Sequence, residues 1–222
     1  MNVLLFGATG MVGQGVLREC LQDPGVQRVQ IVGRTPSGLQ HPKLRELLHQ
    51  DLWNFASVEA RLSGFDACFF CLGVSAAKVS AAEYERVTYG ITLAAAETLA
   101  RLNPNMTFIY VSGAGTDSSE QGRTMWARVK GKTENAVLGL PFKGAYMFRP
   151  GIIEPAHGAK SKTRLYRVFY GISKPVLPLL RWLLPNYVLT TEEVGRAMQK
   201  VARTGAPKNI LESKDIRALL RR

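Results

Sequence analysis

The chain opens on "NVLLFGATGMVG", an apolar run that breaks into glycines at positions 7, 10 and 13. A short apolar run bounded by glycine reads as a buried strand, and the residues beyond Gly10 read as the start of a helix. Few sequence features restrict a fold as tightly as a strand that passes through G-x-x-G-x-x-G into a helix. Gly7 permits a tight turn, Gly10 keeps side chains away from a closely held ligand, and Gly13 lets the helix lie against the strand. The amides of the first helical turn then face outward at the positive end of the helix dipole, an arrangement suited to a pyrophosphate. A second strand at "VQIVGR" completes a β-α-β unit.

The pattern continues. "DACFFCLG", "MTFIYVSG" and "KGAYMFRP" are strand-like and apolar nearly throughout, as expected of parallel strands covered on both faces, and "ELLHQD" reads as a further strand. Between them "AAEYERVTYGITLAAAETLARL" reads as one long helix stopped by Asn103-Pro104. Such alternation predicts an α/β fold, a Rossmann-type doubly wound parallel sheet. The last third differs, since "KTRLYRVFYGISKPVLPLLRWLLPNYV" mixes aromatics, leucines and cations and is broken by Pro175, Pro178 and Pro185. After it, Val194, Ala197, Met198 and Val201 share one helical face, Thr190 with Glu193 suits a capping box, and "NILES" suits a short strand. The expected layout is a single domain over 1–222, with a Rossmann core at 1–155 and a small basic C-terminal cap at 156–222 over the carboxyl edge of the sheet.

At 222 residues, 46% hydrophobic and 21% charged, the chain fits one globular domain with a real core. The first apolar run follows Met1-Asn2 directly, and no stretch reaches the roughly 18 apolar residues of a spanning helix. The cytoplasm is the expected address. Cys20, Cys68 and Cys71 are too few and too odd for a disulfide framework, and Cys68 and Cys71 are expected as core residues on opposite faces of one strand. His41, His49 and His157 are scattered without metal-ligand spacing, so no metal is expected. The net charge of +12 concentrates at the end: residues 156–222 carry 14 basic and 4 acidic side chains. That field suits a solvated surface, or an anionic pocket edge built from His157, Lys160, Lys162 and Arg164. Leu165, Phe169, Ile172 and Val176 among cations would suit peripheral membrane contact. Nucleic acid ranks last, because no binding motif accompanies the charge.

The end of the second strand reports on the ribose. An acid there accepts the 2′-hydroxyl of NAD, whereas an arginine accommodates a 2′-phosphate. "IVGRT" puts Arg34 at that place, which favours NADP(H) over NAD(H).

Taken in order, the glycine turn, Arg34, "QDLW", "CLG", "VSGAG" and "FRPGII" resemble the atypical short-chain dehydrogenase/reductases. The branch most similar is that of the Tat-interacting, oxidoreductase-like proteins and the bacterial NAD-dependent epimerase-like or NAD(P)H-binding proteins. The likeness runs from Met1 to about Pro155. It implies that Thr9, Gly10, Met11 and Val12 cradle the pyrophosphate and that Arg34 holds the 2′-phosphate. It also implies that Asp51 and Leu52 flank the adenine and that Leu72 and Gly73 line the ribose and nicotinamide side. Ile152 and Ile153 would approach the carboxamide.

The family's chemistry rests on Tyr-x-x-x-Lys after strand five, with a serine at that strand's end. Tyrosine and lysine then share a helical face, the ammonium lowers the phenol's pKa, and the phenol passes a proton while hydride moves. This chain supplies Ser112 and Lys130, but Trp126 stands in the tyrosine's place. An indole donates a hydrogen bond without useful acidity. "YGISK" (Tyr170 to Lys174) matches by letters, but Pro175 disfavours helical geometry at Lys174. Two functions stay open: an oxidoreductase on a small carbonyl-like substrate, with Ser112 orienting it and Lys130 holding the cofactor, or a catalytically silent cofactor-binding protein.

Overall fold

Within β1 (Asn2–Phe6), Val3 and Leu5 point into one apolar core while Leu4 and Phe6 point into another. Period-two alternation with apolar groups on both sides is what a strand sandwiched between helix layers requires. The computed structural model, which describes residues 1–158 and 187–221, repeats this in β4 (Ala67–Phe70), where Ala67 and Phe69 face one core and Cys68 and Phe70 the other.

The remaining strands are β2 (Arg28–Gly33), β3 (Leu44–Leu48), β5 (Thr107–Val111) and β6 (Gly144–Arg149). Two three-residue strands, β7 (Ile152–Glu154) and β8 (Val188–Thr190), pair in parallel with each other, and β9 (Ile210–Glu212) comes last. The main sheet is parallel throughout and runs β3-β2-β1-β4-β5-β6-β9. This is the doubly wound Rossmann-type order. The direction of winding reverses between β1 and β4, which opens a crevice at their carboxyl ends.

One core lies under α1 (Met11–Gln22), α5 (Thr191–Thr204) and α6 (Ser213–Arg221), and holds Val16, Leu17, Val194, Met198 and Ile216. The other lies under α3 (Ile91–Leu102) and the inner face of α4 (Met125–Leu138), and holds Ala95, Leu99 and Val137. The expected capping box is present: Glu193 N–H donates to Thr190 Oγ1 at 3.0 Å, and Thr190 N–H donates to Glu193 Oε2 at 2.7 Å. Among the described residues, no helix is long and apolar enough to cross a membrane.

Four expectations need correction. The third strand begins two residues earlier than "ELLHQD" and ends at Leu48, because pairing with β2 runs from Val29–Leu44 to Gly33–Leu48. The long helix is three pieces: α2 (Ala81–Glu85), a π-helical turn at Arg86–Gly90, and α3. Trp53 packs beside that wider turn, its indole donating to the Arg86 carbonyl at 3.4 Å under the Arg86 guanidinium. The boundary at residue 155 does not separate core from cap. β9 is the seventh strand of the main sheet, and α5 supplies the buried Val194, Ala197, Met198 and Val201. Cys71 lies just past β4 and is half-buried, whereas Cys68 is fully buried. The Tyr170–Lys174 pair, Lys160, Lys162, Arg164 and the apolar set Leu165, Phe169, Ile172 and Val176 lie outside the described residues.

Helices α1 and α5 approach so closely that glycine is needed on each. A Cβ at Gly15 would overlap the Thr191 side chain and sit 2.8 Å from its carbonyl oxygen, and one at Gly195 would sit 3.0 Å from Glu19 Cγ. Gly15→Ala is therefore expected to cost about 1–3 kcal/mol of unfolding free energy through overpacking. Urea denaturation checks this against Gly33→Ala, where a Cβ meets open space.

Candidate functional site

At the sheet's reversal point Gly7 takes a φ of +78°, and a Cβ there would lie 2.6 Å from both the Cys71 carbonyl carbon and the Leu72 nitrogen. The turn is thus pressed against the end of β4 with no space for a methyl group. Helix α1 then starts at Met11 behind Gly10, which brings no capping side chain, and its first turn has no acid. The first-turn amides have no helical acceptor and face the crevice at the positive end of the dipole. A bare cradle of this kind accepts the diphosphate of a dinucleotide.

The crevice is a cleft of about 840 Å³ along the carboxyl edge, within the range of cofactor sites. Gly7, Thr9, Gly10, Met11 and Val12 form one wall of it. Gly13 does not: it lies beneath the turn, where a Cβ would overlap the Gly7 carbonyl oxygen, so it serves helix–strand packing. Arg34 lines the cleft after β2, and its carbonyl accepts from Gln50 Nε2 at 2.9 Å. Leu52 is a buried part of the wall, but Asp51 stands outside, exposed, with its carboxylate accepting from the Trp53 N–H at 3.0 Å. Leu72 and Gly73 line the middle. Of the isoleucines in β7 only Ile153 lines the cleft; Ile152 does not, as period-two alternation requires of its neighbour.

Ser112 and Lys130 meet at the far end. Lys130 Nζ donates to the Ser112 carbonyl oxygen, and Gly113, with a φ of +132°, leaves the approach open. Burial pulls the Lys130 ammonium down to about 8, against the opposing pull of Glu134 one turn further along α4. Ser112 is 3% exposed, and its hydroxyl donates to Glu134 Oε1. Its hydrogen is therefore committed away from the cleft, contrary to the expected role of donor to a substrate oxygen. Glu134 is fully buried and also accepts from Arg149 Nε at 3.0 Å. Arg149 in turn reaches Ser118 Oγ at 2.6 Å and Glu212 at 3.6 Å, and its bonds to Glu134 hold its guanidinium even higher than usual. Trp126 lies on α4 one turn before Lys130 but does not line the cleft; its ring packs on Gly115, whose φ is +82°.

Sequence reasoning missed Thr35, Gln50, Gly113 and Gly151 in the lining. Thr35 and Gln50 adjoin residues already singled out. Glu134, four residues after Lys130, had no separate signal. His157, at the start of the basic third, has a φ of +52° and an exposed contact of 2.8 Å to Glu192.

This geometry defines a nicotinamide-dinucleotide-binding Rossmann protein, and comparison with known proteins gives the family. Residues 7–136 match the model of the NAD(P)H-binding family, and the chain belongs to it. Protein HTATIP2 of Rattus norvegicus is 27% identical over 200 residues, covering 84% of this chain and 81% of its own length. The mitochondrial protein fmp52 of Aspergillus clavatus is 29% identical over 180 residues, covering 77% and 76%. In fold the chain is similar to the dTDP-glucose 4,6-dehydratase DesIV of Streptomyces venezuelae, solved with NAD and TYD bound. The TM-score is 0.70 at 15% identity, covering 100% of this chain and 80% of that one. The UDP-glucuronic acid 4-epimerase of Bacillus cereus, solved with NAD, is also similar, with a TM-score of 0.66 at 13% identity over 96% and 78%.

Because Lys130 is held below the ordinary lysine value of 10.5, the folded chain sheds this proton before the unfolded chain does. The unfolded state then binds more protons between about pH 8 and 10.5, and stability rises with pH across that window. Relative to Lys130→Met, the wild type is expected to gain on the order of 2 kcal/mol across it, after allowance for partial exposure. Denaturant titrations of both proteins at several pH values measure the difference.

Proposed function

We propose that the chain binds NADP(H) in preference to NAD(H) and uses it as an oxidoreductase on a small carbonyl-like substrate. The observation that carries the proposal is the pairing, in one cleft, of the uncapped glycine turn with Lys130 at the opposite end. Thr9 to Val12 would hold the diphosphate, Arg34 with Thr35 the 2′-phosphate, and Leu52 the adenine. Leu72, Gly73 and Ile153 would line the nicotinamide half. When bound, the reduced dinucleotide supplies a hydride. Lys130 would bind the ribose hydroxyls, for which its ammonium keeps donors beyond the one given to Ser112. Arg34 is exposed at the cleft, and Asp51 stands outside it, so no nearby acid on this edge favours a bare 2′-hydroxyl.

A second reading has its own support. Trp126 stands where the resemblance expects a tyrosine and the Ser112 hydroxyl donates to Glu134, which supports a site that does not act on a carbonyl. A silent protein whose contacts follow its nucleotide would need only the binding half of the cleft. The cytoplasmic address is likewise a proposal, set beside fungal relatives that carry mitochondrial names.

Arg34→Ala is expected to weaken NADPH about tenfold or more while leaving NADH nearly unchanged, as loss of a charge-assisted phosphate contact requires; fluorescence titration with both coenzymes reads the ratio. Trp126→Tyr is expected to raise NADPH oxidation on a panel of aldehydes, ketones and quinones at least tenfold. An unchanged rate in that assay favours a binding role or a different proton donor.

A further inference from the structure

Reduction of a carbonyl consumes one proton for each hydride, and Trp126 has none to give. Among the described residues that line the cleft, the side chains able to titrate are Arg34, Cys71 and Lys130. A guanidinium does not release its proton in a protein. Burial pushes the Cys71 thiol far up. The Ser112 hydroxyl gives its hydrogen to Glu134. By elimination, the titratable group of the described lining left to release a proton is Lys130.

We propose that Lys130 is itself the proton donor of this site, and the acceptor in the reverse direction, filling the role of the missing tyrosine. The inference rests on the oxidoreductase reading above and would give that reading its acid. An ammonium has three N–H groups; the Ser112 carbonyl takes one, and the others are available to a ligand. Gly113, whose φ of +132° is open to glycine, borders this amine, and a Cβ there would meet Nζ in ordinary contact at 3.6 Å. A substrate oxygen brought to the edge formed by Ser112, Gly113 and Lys130 would meet Nζ directly.

The surrounding charges leave this proton loosely held. Among the described residues, Glu134 is the charged group that acts on Lys130, and it divides its oxygens between Arg149 and Ser112. On the elements packed against α4, Glu85 of α2 and Tyr89 of the π turn engage Lys132 instead. Tyr84 of α2 and Tyr110 of β5 are buried. On α3, Glu97 is exposed and Arg101 pairs with Glu59. Arg149 of β6 is bound to Glu134. Burial therefore outweighs the single screened carboxylate and sets Lys130 at about 8, near the operating pH that general acid–base catalysis favours.

In reduction, a bound reduced dinucleotide would supply the hydride for the new C–H bond at the carbonyl carbon, itself becoming oxidised, and the C=O π pair would move to oxygen. The Lys130 Nζ–H bond breaks and its proton goes to that oxygen, while Nζ keeps the electron pair as a neutral amine. Water at the cleft mouth returns a proton to Nζ. In oxidation the neutral amine takes the alcohol proton as hydride leaves.

The test uses the full chain with NADP(H) and three probes: phenanthrenequinone, benzaldehyde and cyclohexanone. Lysine side-chain ¹⁵N NMR of the NADP⁺-loaded protein is expected to show one resonance titrating near 8, absent in Lys130→Met. Probe reduction is expected to fall about tenfold per pH unit above that midpoint, and by about a hundredfold or more in Lys130→Met and in Lys130→Arg. Lys130→Arg should still bind NADPH, because it keeps the charge without a transferable proton. Lys132→Met, half-buried on the same helix and paired with Glu85, should change none of these. A Lys130 resonance titrating near 10 in the loaded protein, or a Lys130→Arg variant with the wild-type rate and pH profile, overturns the proposal and leaves the oxidoreductase reading standing. A wild type that binds NADPH but reduces no probe from about pH 6 to about pH 10 overturns both.

Discussion

At the carboxyl edge of the sheet three backbone segments are pressed together with no side chain between them. Gly7 lies against Cys71–Leu72 at the end of β4, and Gly13 lies against Gly7 from below. Any Cβ at either position would collide with main chain, which cannot swing aside as a flexible side chain can. That contact fixes where α1 begins and how it is tilted. It leaves the first-turn amides facing a crevice, and it aligns the ends of β1 and β4 that form the crevice walls. The nucleotide cradle is thus a by-product of close backbone packing. The same requirement recurs where α1 meets α5 through Gly15 and Gly195, so both sides of the first helix are set by backbone approach.

The far end of the cleft is organised differently, around charge. Glu134 is completely buried, and its cost is met by Arg149, Ser112 and the hydrogen bonds between them. Removing one partner of such a pair leaves an uncompensated ion, so the pair ties α4 to the ends of β5 and β6 whatever its net contribution. Arg149 extends the link to Glu212 on β9, which brings the C-terminal strand into the same network. The Ser112 hydroxyl is drawn into this structural cluster, while its carbonyl holds Lys130. One residue thereby joins the buried network to the cleft, with its backbone facing the cleft and its side chain facing the core.

Much of this was legible in the sequence. Parallel strands covered on both faces are apolar nearly throughout, so "DACFFCLG" and "MTFIYVSG" identified themselves, and the glycine turn declared its own sterics. The capping box at Thr190 and Glu193 is a local rule and was readable as one. What was hidden depends on contacts distant in the chain. The pairing of β9 with β6 joins residues about sixty positions apart, and a three-residue strand carries no mark of which sheet it will enter. That is why the last third read as an added cap when its described part completes the sheet. The π turn arises where Trp53, far upstream, meets Arg86 and Gly90. Asp51 and Leu52 are neighbours in a motif, yet only one faces the cleft. Resemblance carried both over, and side-chain direction separated them.

The two ends of the cleft differ in how readily they can change. The cradle end is made of backbone, so its ligand is set by shape and dipole, and substitutions that keep the glycines keep the nucleotide. The far end is made of side chains on a helix whose inner face is anchored by Glu134. Trp126, one turn earlier, does not disturb Lys130, because Lys130 is held by the Ser112 carbonyl and by burial and needs nothing from position 126. A phenol near that ammonium would gain acidity from it. Without one, the ammonium keeps the whole consequence of its desolvation to itself, and the group that would have tuned an acid is left with the properties of one.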